Sequence, residues 1–99
     1  MANNMGAISQ AEVEKFAAYV IRTLGLDGWR MEWTRAQPGI CLKKSQEILI
    51  PKSMIGQYPW QAKEYVLHET AHIFTNDKMH GCDFFREYIA LLNKFMVEE

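Results

Sequence analysis

The chain has 99 residues, of which 48% are hydrophobic and 23% are charged, and its formal net charge is −1. This composition predicts a single globular domain with one hydrophobic core and excludes a largely disordered protein. The nearly neutral charge also lacks the clear basic excess that most nucleic-acid-binding domains carry.

Targeting signals and membrane spans are not predicted. The opening MANNMGAISQ has neither a positive cluster nor an apolar run, and no segment approaches the ~18 apolar residues of a membrane span. Cys41 and Cys82 are isolated in the sequence. Because cytoplasmic cysteines are usually reduced, we expect two free thiols and a cytoplasmic protein that does not bind membranes.

The first predicted element is a helix. Residues 1–8 are expected to form a flexible N-terminus, and residues 9–99 a single domain. Ser9 and Glu12 have the spacing of a capping box, which satisfies the free amide groups at a helix start. Apolar residues at helical spacing then predict a helix over residues 9–24: Val13, Phe16, Ala17, Val20, Ile21 and Leu24.

Three short strands are predicted next, over residues 29–35, 40–43 and 47–50, with Pro51 closing the third strand. We expect them to form a small antiparallel sheet. A second helix over residues 60–74 starts after Pro59 and ends at the TNDK stretch, and a third helix covers residues 83–97. The predicted fold is therefore α+β, in the order α-β-β-β-α-α.

All three histidines lie in the stretch VLHETAHIFTNDKMHG. His68 and His72 are four residues apart, so on a helix they face the same side and can bind one metal ion. Glu69 lies about 100° around the helix, where it can take a proton from a water on that metal. His80 completes the three protein ligands that catalytic zinc sites usually have, and Gly81 permits the chain to return over the helix.

Several other residues have alternative interpretations. Asp77 and Asp83 are the next candidates if His80 is not the third ligand. Cys82 is either an extra ligand or, as we expect, a small buried residue at a helix start. Three tyrosines are candidate donors to an oxyanion or, alternatively, packing residues: Tyr58, Tyr65 and Tyr88.

Two further groups are more typical of structural roles. The tryptophans Trp29, Trp33 and Trp60 are expected to fill the core, the alternative being an exposed stacking surface. The lysines Lys43, Lys44 and Lys52 are expected to form a solvated edge that discourages aggregation, the alternative being contacts with acidic substrates or a DNA backbone.

The motif resembles that of a known family. HETAH followed by HGCDF resembles the H-E-x-x-H and H-G-x-x-F signature of SprT-like zinc metalloproteases, the group that includes Spartan and bacterial SprT. The stretch PGICLKKSQEILIPKSMI is similar to the strand pair of that family, and YVLHETAH matches its lead into the active-site helix. The chain looks like a minimal protease core.

The resemblance implies a zincin-like fold and hydrolysis of peptide bonds, with Zn²⁺ held by His68, His72 and His80 and with Glu69 as the general base. It implies a protein or peptide substrate and a possible association with DNA, which the net charge of −1 makes weak here. We expect a monomer. Two alternatives stay open: a non-proteolytic zinc-binding interaction module and a zinc hydrolase of another bond. Glu69 argues against the module, because a structural zinc site needs no general base.

Overall fold

A computed structural model describes residues 7–75 and 80–96. Its helices are α1 (Gln10–Thr23), α2 (Pro59–Ala71) and α3 (Cys82–Phe95), and its strands are β1 (Arg30–Thr34), β2 (Ile40–Leu42) and β3 (Glu47–Pro51). Two short 3₁₀ turns, Lys52–Met54 and His72–Phe74, follow β3 and α2. The order of elements therefore agrees with the prediction, and the fold is α+β.

The ends of α1 agree with the prediction to within one residue because local interactions define them. The Ser9 hydroxyl accepts a hydrogen bond from the Glu12 N–H at 3.1 Å, and the Glu12 carboxylate accepts one from the Ser9 N–H at 2.9 Å. The predicted capping box is thus formed. The helix buries Val13, Ala17 and Val20 against the rest of the chain.

The prediction of an antiparallel sheet is wrong, since the sheet is mixed. Its strand order is β1-β3-β2, with β1 parallel to β3 and β2 antiparallel to β3. The side chains of Ile48 and Ile50 on β3 are fully buried, which places the most apolar strand in the centre. Because β3 lies between the two earlier strands, β1 and β2 do not pair with each other, and β1 runs parallel to β3, its partner among the described strands.

The core consists of two clusters that α2 connects. Ala62 and Val66 pack with the sheet residues Ile48 and Ile50, and Leu67 packs with residues of α1 and α3.

Two further boundaries differ from prediction. Ile8 is buried in the first cluster and its backbone bonds to Gly56 and Gln57, so the packed domain includes a residue predicted to be flexible.

The second boundary is the end of α2. The predicted helix over residues 60–74 becomes a 3₁₀ turn at His72, and Thr75 is extended. Most of the predicted TNDK helix end, together with Asp77 and Val97, lies outside the described residues. In the described parts of the chain, no helix is long and apolar enough to cross a membrane.

Candidate metal centre

The three histidines meet at one point. His68 lies in the last turns of α2, His72 follows in the 3₁₀ turn, and His80 precedes α3. Each imidazole offers a ring nitrogen, and these nitrogens all lie within 4.8 Å of one another. The helix therefore positions the first pair, as the spacing predicts, and the start of α3 brings the third histidine to them.

The spacing of these nitrogens fits a metal ion. The Nε2 atoms of His68 and His80 are 3.2 Å apart. Two imidazole nitrogens at ~2.0–2.1 Å from one tetrahedral ion would be about 3.3 Å apart. Among the described residues, this is the group of side chains that could hold a metal. Neutral imidazole suits zinc, copper, iron and nickel, so the donor set by itself does not select one of them.

A buried aromatic ring supports all three imidazoles. The Phe84 side chain is fully buried, and its ring centroid lies 4.9 Å from that of His68, 4.4 Å from that of His72 and 4.5 Å from that of His80. Since these contacts restrict the rotation of each ring, Phe84 helps to pre-organise the group. Phe84 is also the final residue of the HGCDF stretch. Phe84, which the sequence assigns to the apolar face of the third helix, thus also packs against the three imidazoles.

The environment of His68 and His72 favours the neutral form of these two imidazoles. Burial, together with the neighbouring His80 and His72, lowers the pKa of His68 to about 4. Burial, followed by the proximity of His80 and Lys43, also lowers the pKa of His72. A metal binds the neutral form of imidazole, so at neutral pH these two rings need lose no proton to bind one.

Glu69 lies beside the histidines and is 4% exposed. Burial raises the pKa of its carboxyl group to about 7. A carboxylate that binds a proton near neutral pH is well matched to general acid–base chemistry. The ionised form of this buried carboxyl group also destabilises the folded protein. Groups with such perturbed pKa values cluster at functional sites.

The histidines and Glu69 line one cleft of about 950 Å³. One wall is β2 with the residues around it, and the other contains Tyr65 of α2 and Tyr88 of α3. Burial, followed by the charge of Glu64 and a hydrogen bond to it, raises the pKa of Tyr88 to about 12, so this phenol keeps its proton. Tyr58 is 56% exposed and is not part of the cleft, which leaves two of the three candidate tyrosines in it.

The three lysines Lys43, Lys44 and Lys52 are exposed, as expected. Lys43 makes one additional contact: its Nζ donates a hydrogen bond to the backbone carbonyl of Thr75, directly after the 3₁₀ turn that contains His72. This bond connects the residue after β2 to the segment that follows α2. Lys43 and Lys44 also line the cleft.

Other candidate residues lie away from the histidine group. Cys82 is exposed, so the prediction of a small buried residue is wrong, and its thiol is not part of the group. Asp83 is also outside it and forms an ion pair with Arg86 at 3.3 Å. Cys41 is half-buried, packs against the sheet cluster and lines the cleft. Both cysteines are free, as predicted.

The tryptophans are divided between core and surface. Trp29 and Trp33 are partly buried against the sheet cluster, as predicted, and the Trp33 indole N–H donates to the Glu14 carboxylate at 2.7 Å. Trp60 is 55% exposed, so the prediction of a core position is wrong for this residue. It occupies the first turn of α2, before Ala62, the first buried residue of that helix.

The arrangement of these elements, in which α2 with His68 and Glu69 packs against a small mixed sheet, is shared with a solved structure of a metallopeptidase. The chain is similar to the crystal structure of the metallopeptidase zymogen of Pyrococcus abyssi abylysin, with a TM-score of 0.65 and 15% sequence identity. The similarity covers 85% of this chain and 95% of that chain. No protein-family model and no curated protein matches this sequence. At this identity the likeness concerns the fold, and the SprT-like resemblance stays a prediction based on the motif.

Proposed function

We propose that this protein is a zinc-dependent metallopeptidase of the SprT-like type, which hydrolyses peptide bonds in the cleft beside β2. The observation that carries the proposal is the convergence of three imidazoles that line one cleft together with a buried carboxylate. The fold shared with a metallopeptidase supports it. So does the HETAH and HGCDF sequence, whose last residue supports the three rings.

His68, His72 and His80 would hold the metal. A zinc ion held there would polarise the scissile carbonyl and lower the pKa of a water molecule. Glu69 then acts as the base that accepts a proton from the attacking water and delivers it to the leaving amine. Tyr88, protonated and in the same cleft, is a candidate hydrogen-bond donor to the oxygen that becomes negative.

The substrate backbone would be held by the free edge of the sheet. β2 is a terminal strand of the sheet and lines the cleft. An extended peptide can add to such an edge as a further strand, through main-chain hydrogen bonds that place its carbonyl next to the metal centre. This mode of binding requires a protein or peptide in extended conformation.

The remaining expectations from the sequence belong to the same proposal. We propose a cytoplasmic monomer whose association with DNA is weak, because a net charge of −1 gives little release of counterions. Binding of duplex or single-stranded DNA should be no tighter than micromolar at physiological salt.

The activity is tested by digestion of casein and a peptide library with zinc-loaded protein, followed by mass spectrometry. Glu69→Gln should keep the fold and the metal but lower hydrolysis about 10²–10⁴-fold, chiefly in kcat, since the amide cannot accept the proton. Glu87→Gln is the matched control, because it makes the same change at a residue that does not line the cleft. If the wild type with zinc bound cleaves nothing, the proposed function is wrong. If both variants cleave like the wild type, the base is another group.

A further inference from the structure

Tyr65 connects the ligand-bearing helix to the start of β2. Its hydroxyl accepts a hydrogen bond from the backbone N–H of Gly39, 26 residues earlier in the chain. The contact is close: a Cβ atom at Gly39 would lie 2.4 Å from the Leu49 carbonyl oxygen and 2.7 Å from Tyr65 Cε1. Only glycine fits between the tyrosine ring and β3, so the position of Gly39 depends on this packing.

The hydrogen bond shows which way the backbone of β2 faces. Because the Gly39 N–H donates to Tyr65, it does not point toward β3. In an antiparallel pair, residues alternate between those that bond the partner strand and those whose N–H and C=O point away from it. Ile40, opposite Leu49, therefore bonds β3, and Cys41, opposite Ile48, directs its N–H and C=O to the free edge. That edge borders the cleft, which Cys41 lines.

We propose that Tyr65 determines specificity by limiting the length of substrate backbone that can pair with the edge of β2. Because the Gly39 N–H already donates to the Tyr65 hydroxyl, it is not available to a substrate, and the backbone groups of Cys41 form the main pairing point. The paired stretch of substrate is therefore limited to the residues opposite Ile40–Leu42. The enzyme then selects substrates with a short extended segment, such as a flexible terminus or loop. This inference rests on the proposed function for the identity of the peptide as substrate.

Binding of peptides of graded length tests this limit without requiring catalysis. The probes are end-blocked alanine–threonine peptides of about four to ten residues, lengthened at one end or the other. Their dissociation constants are measured by calorimetry for zinc-loaded Glu69→Gln, alone and combined with Tyr65→Phe. Tyr58→Phe is the matched control, since it makes the same change at the residue directly before α2, outside the cleft.

In the parent protein, affinity should stop rising once the peptide covers the three-residue edge. With Tyr65→Phe the Gly39 N–H is released, and the next residue should add about a two- to tenfold gain, the usual effect of one hydrogen bond. Tyr58→Phe should follow the parent. The same length dependence with and without Tyr65→Phe would overturn the inference, and so would the failure of all the peptides to bind.

Amide hydrogen exchange gives a second measurement that does not depend on the folding of the Tyr65 variant. In free zinc-loaded Glu69→Gln, the Gly39 amide should exchange slowly. The Cys41 amide should become slow only when peptide saturates the cleft. A Gly39 amide that exchanges freely, or a Cys41 amide unaffected by bound peptide, would overturn the inference. Should the wild type cleave nothing while length-limited binding is observed, the proposed function fails and this inference stands.

Discussion

The faces of α2 serve different purposes. The apolar faces pack on the sheet through Ala62 and Val66 and on the other helices through Leu67 and Ala71. The cleft face carries polar and aromatic side chains, namely Gln61, Glu64, Tyr65, His68 and Glu69. A surface helix normally presents dispensable charged residues to solvent. In α2, the side that does not pack in the core instead carries His68 and Glu69, the candidate metal ligand and general base.

The two buried polar residues of α2 show the difference within consecutive positions. The Thr70 hydroxyl donates to the Val66 carbonyl at 2.7 Å, so the helix itself satisfies this buried group. Glu69 instead has its pKa raised to about 7 by burial, which makes its ionised form unfavourable in the folded protein. Buried ionisable groups that destabilise the folded state are found mainly at functional sites, which is consistent with Glu69 as the general base.

The largest effect on the cleft side should come from removing the third histidine. His80→Ala should lower the affinity for zinc by more than the roughly 10–100-fold that loss of a residue supporting a ligand costs, because the proposed ligand itself is lost. The measurement is competition with a chromophoric chelator, with circular dichroism to verify the helices. Cys82→Ala is the control, since Cys82 lies two residues away and outside the histidine group. Equal affinity of His80→Ala and wild type would place the third ligand elsewhere.

On the apolar side, the expected loss is in stability. Val66 is fully buried against the sheet, so Val66→Ala should lower the free energy of unfolding by about 2 kcal/mol through lost burial and a residual cavity. Zinc affinity of the folded variant should stay close to that of wild type. Urea unfolding measures the first quantity and chelator competition the second. Ile89→Ala, at a position 53% exposed, should change neither. A large loss of zinc affinity in Val66→Ala would mean that the two faces are not separable.

Glu69 should show a smaller effect that depends on pH in the metal-free protein. Its folded-state pKa is raised from 4.5 to about 7, so the ionised form destabilises the fold. The penalty is absent below about pH 4.5, grows as the pH rises and is complete above about pH 7. Glu69→Gln removes it and should be more stable than wild type by on the order of 1–2 kcal/mol at pH 8.

Urea unfolding with a chelator present, from acid to pH 8, measures this difference. The lowered pKa of His68 acts in the opposite direction, because its contribution to stability is lost as the pH falls from 6.5 toward 4. Both proteins contain His68, so its effect cancels in the comparison. If the difference in stability between Glu69→Gln and wild type does not change with pH, ionisation of Glu69 does not destabilise the folded protein.

The sequence predicts what depends on short spacings. The capping box defines the start of α1, and the four-residue spacing places His68, in α2, and His72, directly after α2, on the same side of the helical segment. What it does not predict depends on contacts between distant residues. The position of β3 between β1 and β2 follows from the burial of Ile48 and Ile50 under α2, and the spacing of the strands does not reveal it.

The walls of the cleft illustrate the same limit. Gly39 and Tyr65 are 26 residues apart, and Lys43 and Thr75 are 32 residues apart. Nothing in the local pattern around Lys43 distinguishes it from Lys44, yet the ammonium group of Lys43 donates to the backbone carbonyl of Thr75, a bond that the sequence does not reveal. The three histidines that converge in the candidate metal centre are predictable from a motif, whereas the residues around them require the tertiary structure.

The most direct test of the metal centre is to locate the ion. Crystals of the zinc-loaded protein, measured on both sides of the zinc absorption edge, should show one anomalous peak per chain. We expect it at ~2.0–2.1 Å from one ring nitrogen each of His68, His72 and His80, with the fourth position open to water. Glu69 should lie beside that position without binding the ion. A peak elsewhere, or an ion whose fourth ligand is Glu69 or a cysteine, would contradict the account.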